Sequence, residues 1–237
     1  MHKGTNCVLT VMTALLAAGC NEGEEESVIK SLVIGNQSYQ IAEAYVLSEL
    51  PSAMVPRGRE MDTDSGINLE IPLADLGVAA LPYEHPSSDA AVVRVLLYGP
   101  AAFTYANEYR LNPDAYDAWM KLGNYQRDRV VEKDENTGLF RIYWRRGAKS
   151  WQLFENEPSE VGGSTPPRWV AACYSQVVGP EAEDASNVRC STQVSMAEGD
   201  VDITFSGLYV TQTDEIVQGV RSKIVEWTTG TDSSVKS

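Results

Sequence analysis

The chain has 237 residues, 33 of them acidic and 19 basic, and its formal charge of −14 at neutral pH argues against a nucleic-acid role, which needs a basic footprint. No basic tail or polybasic patch stands out. The length suffices for one large domain or two small ones with real cores. At the start, Met1-His2-Lys3 is basic, Val8 to Ala18 is apolar except for Thr10 and Thr13, and Ala17-Ala18-Gly19 offers the small residues a signal protease requires. Residues 1–19 therefore read as a signal peptide. Their apolar stretch covers only about half of the roughly 20 residues a membrane-crossing helix needs, which argues against an uncleaved anchor.

The run Leu16-Ala17-Ala18-Gly19-Cys20 resembles the bacterial lipoprotein signal, with Ala17 where leucine is usual. The resemblance implies cleavage before Cys20 and acylation of that cysteine. Several acyl chains on one residue anchor stably, at about 0.8 kcal/mol per buried methylene. Asn21 follows rather than aspartate, and by resemblance to Gram-negative sorting rules this favours the periplasmic face of the outer membrane. Residues 20–27 form the anchored tether, whose NEGEEES run has four glutamates and no apolar residue and reads as an extended, solvated spacer. Loss of Lys3 with the signal leaves 18 basic against 33 acidic side chains, a formal charge of −15.

From Val28 the pattern turns β-like. Val28 to Ile34 and Gln37 to Ile41 flank Gly35-Asn36, a hairpin signal. Ile67-Asn68-Leu69-Glu70-Ile71 alternates as a half-buried strand should, whereas Val92 to Tyr98 is a more continuously apolar strand stopped by Gly99-Pro100. Pro113 to Gly123 reads as a helix capped by Asn112. Further strands are expected over Leu139 to Trp144, Trp151 to Phe154, Trp169 to Gln176, Val188 to Val194 and Val201 to Phe205. The turn Glu198-Gly199-Asp200 lies between the last two. A closing helix spans Asp214 to Thr228, with Thr213 as its cap and Ile216, Val220, Ile224 and Trp227 as one apolar stripe. Gly219 inside it is unfavourable by about 1 kcal/mol relative to alanine, unless close packing requires it. These elements predict an α+β fold, mainly antiparallel sheet with a few helices including the C-terminal amphipathic one. The globular region is 28–230, with room for two lobes, 28–130 and 137–230, and a flexible tail at 231–237.

Cys7 leaves with the signal and Cys20 takes the lipid, so Cys173 and Cys190 remain as an even pair in an exported protein. They are expected to form a disulfide worth roughly 3 kcal/mol in the chain-entropy model. Two isolated thiols without nearby histidines argue against a metal site. Catalytic patterns are missing. His85, in a proline-bounded loop, is the single histidine left after the signal, and neither a Gly-x-Ser-x-Gly elbow nor a Gly-x-x-x-x-Gly-Lys-Ser/Thr loop occurs. Asp62-Thr63-Asp64-Ser65-Gly66 opens like a calcium loop, but glycine comes fifth rather than sixth and position twelve is Leu73, so it reads as a turn. Glu132 to Gly138 reads as another turn. The chain is expected to be no enzyme and to hold neither cofactor nor metal.

Val33 to Leu47 (VIGNQSYQIAEAYVL) and Ile67 to Leu76 (INLEIPLADL) resemble the N-terminal strands and the apolar-proline segment of immunity lipoproteins encoded beside type VI secretion effectors. The C-terminal order, Cys173, Cys190, a strand and a final amphipathic helix, is similar as well. The resemblance implies a periplasmic lipoprotein that binds a secreted toxic effector, often a phospholipase or another envelope-attacking enzyme, and occludes its active site or membrane-binding surface. Acidity would steer the chain toward a basic partner. Two candidate contact surfaces follow. One is the loop between the cysteines, with Glu181, Glu183 and Asp184 at its tip. The other is Tyr143, Trp144, Arg145 and Arg146 with Trp151, residue types enriched in interface hot spots, although strand alternation must send some of them to the core. The competing function is a structural or envelope-assembly lipoprotein that binds peptidoglycan, lipopolysaccharide or an outer-membrane protein.

Overall fold

The computed structural model describes residues 28–34, 37–51, 65–81, 91–98, 127–157, 168–179, 184–197 and 199–229. Cys20 and its tether, His85, Asp62 to Asp64, the expected helix from Pro113 to Gly123, Glu181 and Glu183 lie outside the described residues.

Strands β1 (Ile29–Ile34) and β2 (Gln37–Ala42) pair antiparallel from Ile34↔Gln37 to Ile29↔Ala42. Alternation sends Ile34, Tyr39 and Ile41 inward and leaves Ile29 and Val33 exposed. The main sheet has nine strands: β3 (Val46–Pro51), β4 (Ser65–Pro72), β5 (Val92–Tyr98), β6 (Val130–Lys133), β7 (Phe140–Tyr143), β8 (Ser150–Phe154), β9 (Trp169–Ser175), β10 (Val188–Ser195) and β11 (Asp200–Ser206). Their spatial order is β3-β4-β5-β11-β10-β9-β8-β7-β6. Two antiparallel meanders thus join where β5 meets β11, from Asp200↔Tyr98 to Thr204↔Arg94. Segments 28–130 and 137–230 therefore both contribute strands to one sheet.

One face of that sheet forms the core. Ile67, Leu69 and Ile71 of β4, Val93, Val95 and Leu97 of β5, and Val201, Ile203 and Phe205 of β11 all point to it, each at most 2% exposed. Over this face lie the β1–β2 hairpin, the 3-10 turns Leu73–Leu76 and Gly207–Gln212, and helix α1 (Thr213–Thr229). The helix docks through Ile216, Val220, Ile224 and Trp227, all buried, and each such side chain contributes on the order of 1.5–3 kcal/mol. Gly219 is explained by close packing: a Cβ there would stand 2.5 Å from the carbonyl oxygen of Leu76.

Thr213 does not act as the expected cap. The 3-10 turn before it runs straight into the helix, so Thr213 already has helical dihedrals and its hydroxyl donates to the carbonyl of Val210 at 2.7 Å.

Strand β7 is buried on both faces. Ile142 packs with Phe154, Val131 and Trp169 on one side, and Tyr143 joins the main core on the other. The expected turn at 132–138 closes the β6–β7 hairpin. There the Asp134 carboxylate accepts from the Asn136 amide at 3.0 Å and from Arg141 at 2.5 Å, and Gly138 takes the left-handed conformation the turn requires. Arg141 in turn lies over the Trp151 ring at 5.4 Å. Among the described residues, no helix is long and apolar enough to cross a membrane.

Candidate partner-binding surfaces

The cysteines sit directly opposite each other on β9 and β10 and are joined, with an S–S distance of 2.00 Å. Beyond them the loop base is closed by the Gln176 amide donating to the Asn187 carbonyl at 2.9 Å. Asp184 belongs to this base. It caps the short turn Ala185–Asn187, accepting from the Ser186 amide at 2.9 Å and the Ser186 hydroxyl at 2.7 Å. Those two bonds hold its carboxyl below the ordinary range. Both bonds fall on Oδ1, so that oxygen is engaged in shaping the loop.

The aromatic and basic cluster is divided by strand alternation. Tyr143 and Trp151, cross-strand partners in β7 and β8, face the core with ring centroids 5.6 Å apart. Tyr143 is therefore a packing residue. Trp144, Arg145 and Arg146 fall in the turn between the two strands, where both arginines are exposed. The Arg145 guanidinium stacks on the Trp144 ring at 4.2 Å, a contact worth about 0.5–1 kcal/mol at an exposed site. With exposed Lys149, this hairpin tip is a small cationic, aromatic island on an acidic protein.

A larger feature runs along α1, where the helix crosses the Leu73–Leu76 turn. An open groove of about 510 Å³ is lined by Asp75, Leu76, Glu215, Gly219, Ser222 and Glu226, with Asp214, Gln218 and Lys223 completing it. Gly219 brings the helix down onto Leu76, so the floor is backbone and aliphatic carbon and the rim carries carboxylates. Asp214 and Glu215 also lie in the first helical turn, where the helix dipole favours negative charge.

Several rim groups are held in place. Arg168 donates to both oxygens of Asp214 at 2.6 and 2.7 Å and pairs with Glu155 at 2.8 Å, while Lys223 pairs with Glu226 at 3.2 Å. Tyr45 donates to Asp75 at 2.9 Å and packs on Trp227 at 5.9 Å. Partial burial first, then the bond to Asp75 and the charges of Asp75 and Glu226, push the Tyr45 phenol above its ordinary value. Glu215 has no cationic partner among the described residues.

This groove escapes a sequence reading because Leu76 and Gly219 are far apart in the chain. One signal does exist: Glu215, Gln218, Ser222 and Glu226 recur at helical spacing beside the apolar stripe. Among the described residues, no three His, Cys, Asp or Glu side chains come together as metal ligands would.

No family model matches the chain, and no curated protein matches it in sequence. Among solved structures, Smlt3025, an immunity protein of the Stenotrophomonas maltophilia type IV secretion system, aligns with a TM-score of 0.44 and 10% identity, covering 85% of this chain and 93% of that one. That likeness gives no residue of this chain a role.

Proposed function

We propose that the chain is a non-enzymatic lipoprotein, anchored through Cys20 at the periplasmic face of the outer membrane, which binds and neutralises a toxic effector of type VI secretion. The effector would be a phospholipase or other envelope-targeting hydrolase, held with its active or membrane-binding site occluded. The observation that carries this reading is the groove along α1. It combines an aliphatic floor with an acidic rim fixed by ion pairs, on a sheet stapled by Cys173–Cys190. A basic partner segment could lay its aliphatic stems on Leu76 and Gly219 and direct its charges to Glu215 and Glu226. Because the rim is pre-positioned, little ordering free energy is lost on binding.

The test is capture of partners from an extract of the cognate strain by the whole chain and by a groove-blocked variant, Gln218→Arg with Ser222→Arg, followed by mass spectrometry. Recovery of a secreted hydrolase by the wild type and its loss from the variant is expected. Recovery of envelope-assembly components alone would favour the competing function. The cationic tip at Trp144, Arg145 and Arg146 is the observation that speaks for that second reading, because it suits an anionic envelope glycolipid.

A further inference from the structure

The face of the main sheet opposite α1 carries a depression of about 90 Å³ whose polar lining is Arg94, Tyr174, Gln176, Arg189, Thr204 and Ser206. Strand register explains why these residues meet. Arg94 lies beside Thr204 across the β5–β11 pair, and Arg189 lies between Ser206 on β11 and Tyr174 on β9. Alternation puts all of them on one face. Two arginines drawn from β5 and β10, with β11 between them, thus line one small hollow in a chain of charge −14.

The surrounding charges make this arrangement notable. Two other arginines meet carboxylates: Arg141 pairs with Asp134, and Arg168 with Glu155 and Asp214. Arg94 gives its Nε edge to Glu70 at 3.3 Å. Arg189 has no carboxylate partner among the described residues and only a 3.4 Å bond to the carbonyl of Val188. Asp202, two residues before Thr204 on the same face of β11, does not line the hollow. The hollow is therefore lined by two cations, one carboxamide and the hydroxyls of Tyr174, Thr204 and Ser206, the last also accepting from the Leu208 amide at 3.4 Å, with no carboxylate among them.

We propose that this hollow is a binding site for a phosphate group. Its volume suits a group of a few heavy atoms and is far below the roughly 300 Å³ of a drug-sized pocket. Its donors outnumber what two carboxylate oxygens can use, whereas a tetrahedral oxyanion can engage both guanidinium forks and the hydroxyls together. Free phosphate and the phosphate of a lipid headgroup share this chemistry, and the hollow opens on the sheet face away from the α1 groove.

The experiment is calorimetric titration of the whole chain, at low ionic strength, with inorganic phosphate and, separately, with short-chain phosphatidylglycerol below its micelle concentration. Arg189→Gln and Arg94→Gln should each weaken binding by about tenfold. Arg221→Gln, which removes an equal charge at an exposed site of α1 outside both the groove and the hollow, should leave it unchanged, and thermal unfolding should confirm that all three variants fold. Tighter binding of the lipid than of phosphate supports a headgroup as the ligand, and equal binding supports free phosphate. No saturable binding of either probe up to about 10 mM, or equal weakening by Arg221→Gln, overturns the proposal.

Discussion

Replacing Gly219 by alanine sets two effects of opposite sign against each other at a position where the structure decides between them. Helix propensity alone makes Gly219→Ala stabilising by about 1 kcal/mol. The added methyl would stand 2.5 Å from the carbonyl oxygen of Leu76, 2.8 Å from its Cβ and 3.1 Å from its Cα. Two of those three atoms are backbone and cannot rotate away, so α1 must lift from the Leu73–Leu76 turn and loosen Ile216 and Val220 beneath it. Overpacking of this kind costs about 1–3 kcal/mol. Because the obstacle is rigid, a net loss of about 1–2 kcal/mol is expected, equivalent to a fall in Tm of roughly 2–8 °C for a chain of this size. Urea unfolding followed by tryptophan fluorescence measures it. Ser222→Ala, at an exposed site of the same helix, reports propensity without the contact and should be neutral or slightly stabilising. If Gly219→Ala proves as stabilising as propensity alone allows, the close approach of α1 to Leu76 is wrong, and with it the floor of the groove.

Three further outcomes are expected. Burial raises the pKa of Asp134, but the hydrogen bond and charge of Arg141, with the Asn136 amide and Thr137 hydroxyl, outweigh it and leave the carboxyl below its ordinary value. Its contribution is thus complete above the unfolded pKa of about 3.9 and disappears as pH falls through the lower folded value. Asp134→Asn should cost on the order of 3 kcal/mol at neutral pH, and its deficit against the wild type in urea unfolding should shrink below about pH 4. Reduction of Cys173–Cys190, or Cys173→Ala with Cys190→Ala, should cost about 3 kcal/mol, read as a lower urea midpoint. Trp151→Ala should cost about 3–5 kcal/mol because it empties a core site, whereas Trp144→Ala should cost less than about 1 kcal/mol; equal costs would contradict the division of the cluster between core and turn.

How much of this was legible in the sequence depended on whether the determining interactions were local. Strand β5 was readable to the residue, because an apolar run ends at Gly99-Pro100, and α1 was readable to within a residue at each end from its apolar stripe. The cysteine pair needed only counting. Strand β3 was missed: it lies between the expected hairpin and the Ile67 strand, and its place is set by pairing with β4 rather than by its own pattern. The pairing of β5 with β11 joins residues about a hundred positions apart, and no local pattern encodes it. For that reason Arg94 and Arg189, or Leu76 and Gly219, could not be seen as neighbours. The Thr213 cap failed for a similar reason, since the preceding 3-10 turn is held by burial of Tyr209 and Val210.

Neutralisation of an effector by this chain should be visible as survival during contact between cells. A strain lacking the chain is grown against its parent on a solid surface and complemented with the wild type, with Cys20→Ser, or with the Gln218→Arg, Ser222→Arg groove variant. The deletion strain should be killed only by a parent with an intact type VI apparatus. The wild type should rescue it, and neither the groove variant nor the unanchored chain should. Survival of the deletion strain equal to that of its parent would rule out neutralisation of a type VI effector by this chain.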